Sequence, residues 1–120
     1  MKLVRSFLLL ILLSVPALSL VAQSAADKIL GTYYVADDQS DEAVKIKITK
    51  TSNGTYEGKI VWMKYPNFKD GTPKTDIKNP DASKRKTPAD KIQMLYHFKY
   101  DSKENKWVDG EIYDPVHGKT

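Results

Sequence analysis

The chain has 120 residues, of which 41% are hydrophobic and 28% charged, and its formal net charge is +4. This length suits one domain, and the ordinary composition argues against wholesale disorder or a fibrous repeat. Because the sequence contains no Cys, it excludes disulfides, a thiolate nucleophile and cysteine-bound metals.

The first 22 residues have the layout of a secretory signal peptide. Basic residues precede an apolar run over residues 7–13, Pro16 breaks that run, and small residues follow up to Ala22. We predict cleavage after Ala22, with cleavage after Ser24 as the alternative, and an exported, periplasmic or secreted mature chain 23–120 without a transmembrane span. An uncleaved membrane anchor is the competing interpretation, but the run is well short of the roughly 20 residues that a spanning helix needs.

The mature chain alternates apolar and polar residues over several short segments, which is typical of strands with one buried face. A hairpin is the clearest of these patterns, because Asn53-Gly54 favours a tight turn between two alternating segments. A short helical turn around residues 25–28 is expected before the first strand. We predict an all-β, antiparallel meander of about five strands, at residues 29–35, 44–50, 55–62, 93–100 and 107–113.

A long polar loop over residues 64–91 separates the third and fourth of these strands. It holds eight Lys or Arg against four Asp and contains four prolines, and loops of this length are often functional or mobile. Asp81 or Ser83 is expected to cap a short helical turn over residues 84–86. Lys84, Arg85 and Lys86 are candidates for contact with anionic groups or a membrane surface, and a solvated loop is the simpler alternative. Nucleic acid is not expected as a partner of an exported protein.

Four stretches of the mature chain match the motifs of a known family. They are residues 31–33 (Gly-Thr-Tyr), 56–62 (Tyr-Glu-Gly-Lys-Ile-Val-Trp), 76–88 around Asn79-Pro80-Asp81, and 110–120 (Gly-Glu-Ile-Tyr-Asp-Pro, then Gly-Lys-Thr). The chain resembles the bacterial domain-of-unknown-function family 2147, which comprises small exported proteins. The resemblance implies a calycin-like (lipocalin-like) barrel and little about function. Tyr33 departs from the family pattern, which has Trp there.

The resemblance also bears on the end of the chain at Thr120, which falls inside a predicted turn. Further strands follow at this point in the family, and a closed barrel of the lipocalin type has about eight strands. We therefore expect a partial barrel in a chain that is incomplete at its C-terminus. A naturally short five-stranded variant is the alternative.

The sequence has few residues in patterns typical of catalytic or metal sites. His97 and His117 are the only histidines, His97 is expected to face solvent, and metal sites usually need three or four ligands. The acidic turn at residues 37–42 lacks the ligand spacing of a calcium loop. No Ser lies in a Gly-x-Ser-x-Gly elbow and no Gly-rich phosphate loop is present. We predict no catalytic residue, no cofactor and no metal.

The aromatic side chains recur at positions that alternation places on the inner face of the sheet. In a small barrel such side chains either fill the centre or line a cavity for one small ligand. The leading hypothesis is non-enzymatic binding of a small apolar or amphipathic envelope molecule; the alternative is a module that contacts an envelope protein or the membrane surface through its basic loop or open sheet edges. The candidate ligand-lining residues are Tyr33, Tyr56, Ile60, Trp62, Tyr96 and Phe98.

Overall fold

The computed structural model of the protein describes residues 25–120, and every structural statement below refers to that part of the chain. The predicted signal peptide, residues 1–22, and its cleavage site lie outside the described residues.

Six strands form one antiparallel sheet, which confirms the all-β meander. Neighbouring strands pair in the order β1 to β5, and β6 also pairs with β4; within residues 25–120 the sheet does not close into a barrel. Three short 3-10 turns complete the elements, at Asp27–Ile29, Ala82–Lys84 and Ala89–Lys91. The strands are β1 Gly31–Ala36, β2 Ala43–Lys50, β3 Tyr56–Met63, β4 Gln93–Asp101, β5 Lys106–Val108 and β6 Glu111–Ile112.

The predicted hairpin is present between β2 and β3. Gly54 has a φ of 86° and its N–H donates to the Thr51 carbonyl at 3.0 Å, as a tight turn requires. The single strand predicted over residues 107–113 is wrong, because Asp109 has a φ of 59° and breaks the segment into β5 and β6. Gly110 is needed at the break, since a Cβ there would lie 2.3 Å from the Phe98 ring.

A β-bulge in β3 changes which side chains face the inside of the sheet. Ile46 lies opposite Ile60, but the preceding residue, Lys45, lies opposite Trp62, so that Val61 is an extra residue in β3. Directly opposed residues of antiparallel strands share a face. Trp62 therefore lies on the outer face with Lys45, and its predicted position on the inner face with Ile60 is wrong.

Two further bulges lie in β4. Phe98 is opposite Tyr56, Leu95 is opposite Gly58 and Gln93 is opposite Lys59, so β4 has one extra residue in each interval. The bulges place Leu95 and Phe98 on the same face as Tyr56. The predicted alternation that put Tyr96 on the face of Phe98 is therefore wrong, because each extra residue reverses the alternation beyond it.

The buried core lies where the long loop returns to the sheet. Its buried members are Ile60, Ala89, Ile92 and Tyr113. The half-buried side chains packed against them are Val44, Ile46, Met63, Met94 and Tyr96. By contrast, all six residues of β1 are exposed. The loop is fastened across itself by backbone hydrogen bonds from the Ala89 N–H to the Lys74 carbonyl and from the Asp76 N–H to the Thr87 carbonyl, both at 2.9 Å.

Candidate functional site

The inner face of the sheet has an apolar cavity of about 320 Å³ at the end next to the N-terminal 3-10 turn. We call it the aromatic cavity. The residues that line it are Ile29, Ile48, Tyr56, Glu57, Leu95, Phe98, Lys106 and Trp107.

The polar atoms of its two polar aromatic residues are already bonded within the protein. The Tyr56 hydroxyl donates to Asp27 Oδ1 at 2.6 Å, and Trp107 Nε1 donates to the Ala26 carbonyl at 3.1 Å. Lys50 Nζ also lies 3.1 Å from Asp27 Oδ1. Burial, together with the bond to Asp27, raises the pKa of Tyr56 to about 12, and the bonds from Tyr56 and Lys50 lower the pKa of Asp27. These two side chains therefore present mainly the apolar surface of their rings to the interior of the cavity.

A second cavity of about 450 Å³ lies further along the same face. Leu95 lines the aromatic cavity but not the second one. Its Cδ1 lies 2.8 Å from where a Cβ on Gly58 would be, so the absence of a side chain at Gly58 makes room for Leu95. The apolar residues of this second cavity include Val35, Val44, Ile60, Met63, Met94 and Val116.

A third cavity, of about 200 Å³, is polar and lies between the sheet and the end of the long loop. We call it the lysine cavity. Its lining consists of Lys59, Asp76, Asn79, Lys84, Thr87, Lys91, Ile92, Gln93 and Tyr96.

Asp76 organises a buried hydrogen-bond network behind the lysine cavity. Its Oδ1 accepts from the Tyr113 hydroxyl at 2.7 Å, and its Oδ2 accepts from Asn79 Nδ2 at 2.9 Å. All three residues are buried. Arg85 Nε donates to the Asn79 carbonyl at 2.7 Å. Burial and the hydrogen bond to Asp76 raise the pKa of Tyr113 to about 12.

The six candidate ligand-lining residues do not share one cavity. Tyr56 and Phe98 line the aromatic cavity, Ile60 lines the second cavity, and Tyr96 lines the lysine cavity. Tyr96 therefore lies apart from Tyr56 and Phe98, because a bulge in β4 changes the alternation between Leu95 and Phe98.

Trp62 and Tyr33 line none of these three cavities. The Trp62 ring lies 6.2 Å from the Tyr34 ring, and Lys45 Nζ lies 5.1 Å from its centroid, on the outer face. Tyr33 lies on exposed β1, and its hydroxyl donates to the Ile29 carbonyl at 2.7 Å. Tyr33 thus fastens the N-terminal turn to the sheet.

The three basic loop residues have different surroundings. Arg85 donates to the chain's own Asn79 and Pro80 carbonyls, whereas Lys84 Nζ lies 5.7 Å above the Tyr96 ring and lines the lysine cavity. Lys86 is exposed. The predicted cap is confirmed at Asp81, whose side chain accepts from the Ser83 N–H at 3.0 Å, and the turn begins two residues earlier than predicted.

Asp76, Asn79 and Tyr113 were not among the predicted site residues. Alternation alone cannot reveal a contact between a loop carboxylate and a tyrosine 37 positions later. The available signal was that all three belong to the stretches that carry the family resemblance.

The histidines do not form a metal centre in the part of the chain that the structure describes. His97 is exposed, and His117 Nδ1 lies 2.5 Å from Asp114 Oδ2. Among residues 25–120, no group of three or more His, Asp or Glu side chains is arranged to hold a metal ion. Within the same range, no helix has the length and apolar character needed to cross a membrane.

Comparisons with known proteins identify the family. No curated protein and no solved structure matches the chain. A family model described as an uncharacterized protein conserved in bacteria, domain-of-unknown-function family 2147, matches residues 31–120. The chain therefore belongs to this family of bacterial proteins.

Proposed function

We propose that the protein binds the apolar part of one small apolar or amphipathic molecule in the aromatic cavity. The observation that carries the proposal is an apolar cavity of about 320 Å³ in which the polar tips of Tyr56 and Trp107 are bonded away from the interior. Small-molecule sites typically have volumes of roughly 300–1,000 Å³ and mainly apolar, aromatic linings.

The charged residues of the lining indicate where the polar end of the ligand would lie. Glu57 and Lys106 have opposite signs, so the lining provides both a carboxylate and an ammonium group for the polar end of a ligand, and Lys106 can pair with a carboxylate such as that of laurate. An amphipathic molecule would place its apolar chain between Phe98 and Trp107 and its polar end near these two side chains.

Export and a calycin-like fold belong to the same proposal. A signal peptide over residues 1–22 would place the ligand among the molecules of the bacterial envelope, and calycin-like barrels hold one small ligand on their inner face. Recovery of the protein from the periplasm with Gln23 as its first residue would support export; recovery of the uncleaved chain from the cytoplasm would contradict it.

A fluorescence titration tests the binding site. The chain has two tryptophans, so a Trp62→Phe variant leaves Trp107 as the reporter in the cavity wall. We expect laurate to change its emission saturably. Ile48→Phe fills the cavity and should weaken binding by at least about tenfold.

Ile46→Phe is the matched control, because Ile46 lies on the same strand and face but outside the aromatic cavity. It should leave laurate affinity within about twofold of the parent. The absence of a saturable change, or equal weakening by both substitutions, would refute the proposal.

A further inference from the structure

The lysine cavity carries positive charge that the rest of the described chain does not neutralise. Lys59, Lys84 and Lys91 line it and are exposed. None of the three takes part in an ion pair within residues 25–120. Asp76 is the one carboxylate in the lining, so the lining has a net charge of about +2 near neutral pH.

The strand pairing adds to this charge. Lys59 lies directly opposite Lys47 in the β2–β3 ladder, and like charges at directly opposed positions destabilise a sheet. A bound anion would offset this repulsion, whereas the protein's own contacts leave it in place.

Part of the lining of the lysine cavity is also held in place by hydrogen bonds. Asp76 and Asn79 are held at its base by the Tyr113 hydroxyl and the Asp76–Asn79 bond. The Tyr96 ring forms a wall beneath Lys84 Nζ, and Thr87 and Gln93 add polar side chains. A ligand would therefore meet three exposed lysine side chains beside a hydrogen-bonded polar and aromatic lining.

We propose that the lysine cavity binds a small phosphate monoester, with Lys59, Lys84 and Lys91 around the phosphate and the remainder against Tyr96. A phosphate monoester carries a charge of about −1.5 to −2 near neutral pH, which matches the charge of the lining. Lysine ammonium groups bind phosphate oxygens as point charges. The volume of about 200 Å³ suits a phosphate with a few carbon atoms attached.

The phosphate can belong to a soluble ester or to the head group of a lipid such as phosphatidic acid. Calorimetric titration with glycerol 3-phosphate and with inorganic phosphate examines the soluble source. Sedimentation with phosphatidylcholine vesicles, with and without phosphatidic acid, examines the lipid source. Tighter binding to one set of probes identifies the source, and either result supports the site.

Paired substitutions test the location. Lys59→Gln with Lys91→Gln should weaken phosphate binding by at least about tenfold. Lys99→Gln with Lys103→Gln removes the same charge from exposed positions outside the lysine cavity and should change affinity by less than about twofold. Circular dichroism should show the same folded signal for both variants.

Equal weakening in both variants would show that the interaction is only general charge attraction and would overturn the proposal. The absence of saturable binding to all of these probes would overturn it as well. The laurate titration concerns a different cavity, so its outcome does not decide this one.

Discussion

β1 and the segment where the loop meets the sheet are both hydrogen-bonded, yet only one of them is buried. Each residue of β1 is paired with a residue of β2, and all six are exposed. The other region, which we call the junction, consists of the buried residues Asp76, Asn79, Ala89, Ile92 and Tyr113. Strand pairing satisfies the backbone, but burial requires a second layer against the sheet. In this protein the long polar loop supplies that layer.

Because the junction is buried and β1 is exposed, we expect the stability of the protein to depend mainly on the junction. Replacing its central carboxylate should have the largest effect. Asp76→Ala removes two hydrogen bonds and leaves the buried Tyr113 hydroxyl and Asn79 amide without their acceptor. We expect a loss of about 3 kcal/mol in the free energy of unfolding, measured in urea. Asp38→Ala, in the exposed turn after β1, should change it by less than about 0.5 kcal/mol. Equal effects would mean that the junction is not the stable centre.

A pair of glycines tests how tightly the C-terminal turn closes on the loop. Gly118 and Gly71 both have positive φ, at 66° and 90°. A Cβ on Gly118 would lie 2.1 Å from the Lys78 carbonyl oxygen, whereas a Cβ on Gly71 would meet nothing within 4 Å. Gly71→Ala should therefore cost about 1 kcal/mol from backbone strain, and Gly118→Ala at least about 2 kcal/mol. If both substitutions cost the same free energy in thermal unfolding experiments, the C-terminal turn does not pack closely against the loop.

Two tyrosines provide a smaller and pH-dependent contrast. Tyr113→Phe removes the hydrogen bond to Asp76 and should cost about 1.5 kcal/mol at neutral pH. Tyr34→Phe on exposed β1 should cost less than about 0.5 kcal/mol. Both values can be measured by urea unfolding.

The cost of Tyr113→Phe should also depend on pH. The pKa of Tyr113 is raised from 10.0 to about 12 in the folded protein. Its contribution to stability is therefore complete below pH 10 and is lost as the pH rises from 10 towards 12. A difference between the parent and Tyr113→Phe that stays constant across this range would contradict the assigned hydrogen bond.

The sequence predicted the strands more reliably than the side-chain contacts. Regular alternation located β2 and the hairpin, because local spacing determines both. The positions of Trp62 and Tyr96 depend on bulges, which need one extra residue that alternation does not mark; His97 adopts a φ of 60° without a glycine to signal it. The bond between Asp76 and Tyr113 depends on how the loop folds back, and no local pattern encodes that.

The same limit applies to the candidate sites. Tyr56 and Phe98 lie together in one cavity, since they oppose each other across β3 and β4. The alternation of β3 does not predict that Lys59 lies near Lys84, because the lysine cavity joins a strand to a folded loop segment. Arg85 looked available in the sequence, but its guanidinium group donates to backbone carbonyls.

The bulges of β4 make one residue between Leu95 and Phe98 unnecessary for the inner face. Deleting His97 would leave Leu95 and Phe98 two positions apart, and ordinary alternation places residues at that spacing on the same face. Both side chains would then still lie beside Tyr56. β4 should therefore tolerate the loss of one codon at exposed His97, whereas the same loss at Lys47, in the regularly paired part of β2, would turn the side chains on one side of the deletion to the opposite face.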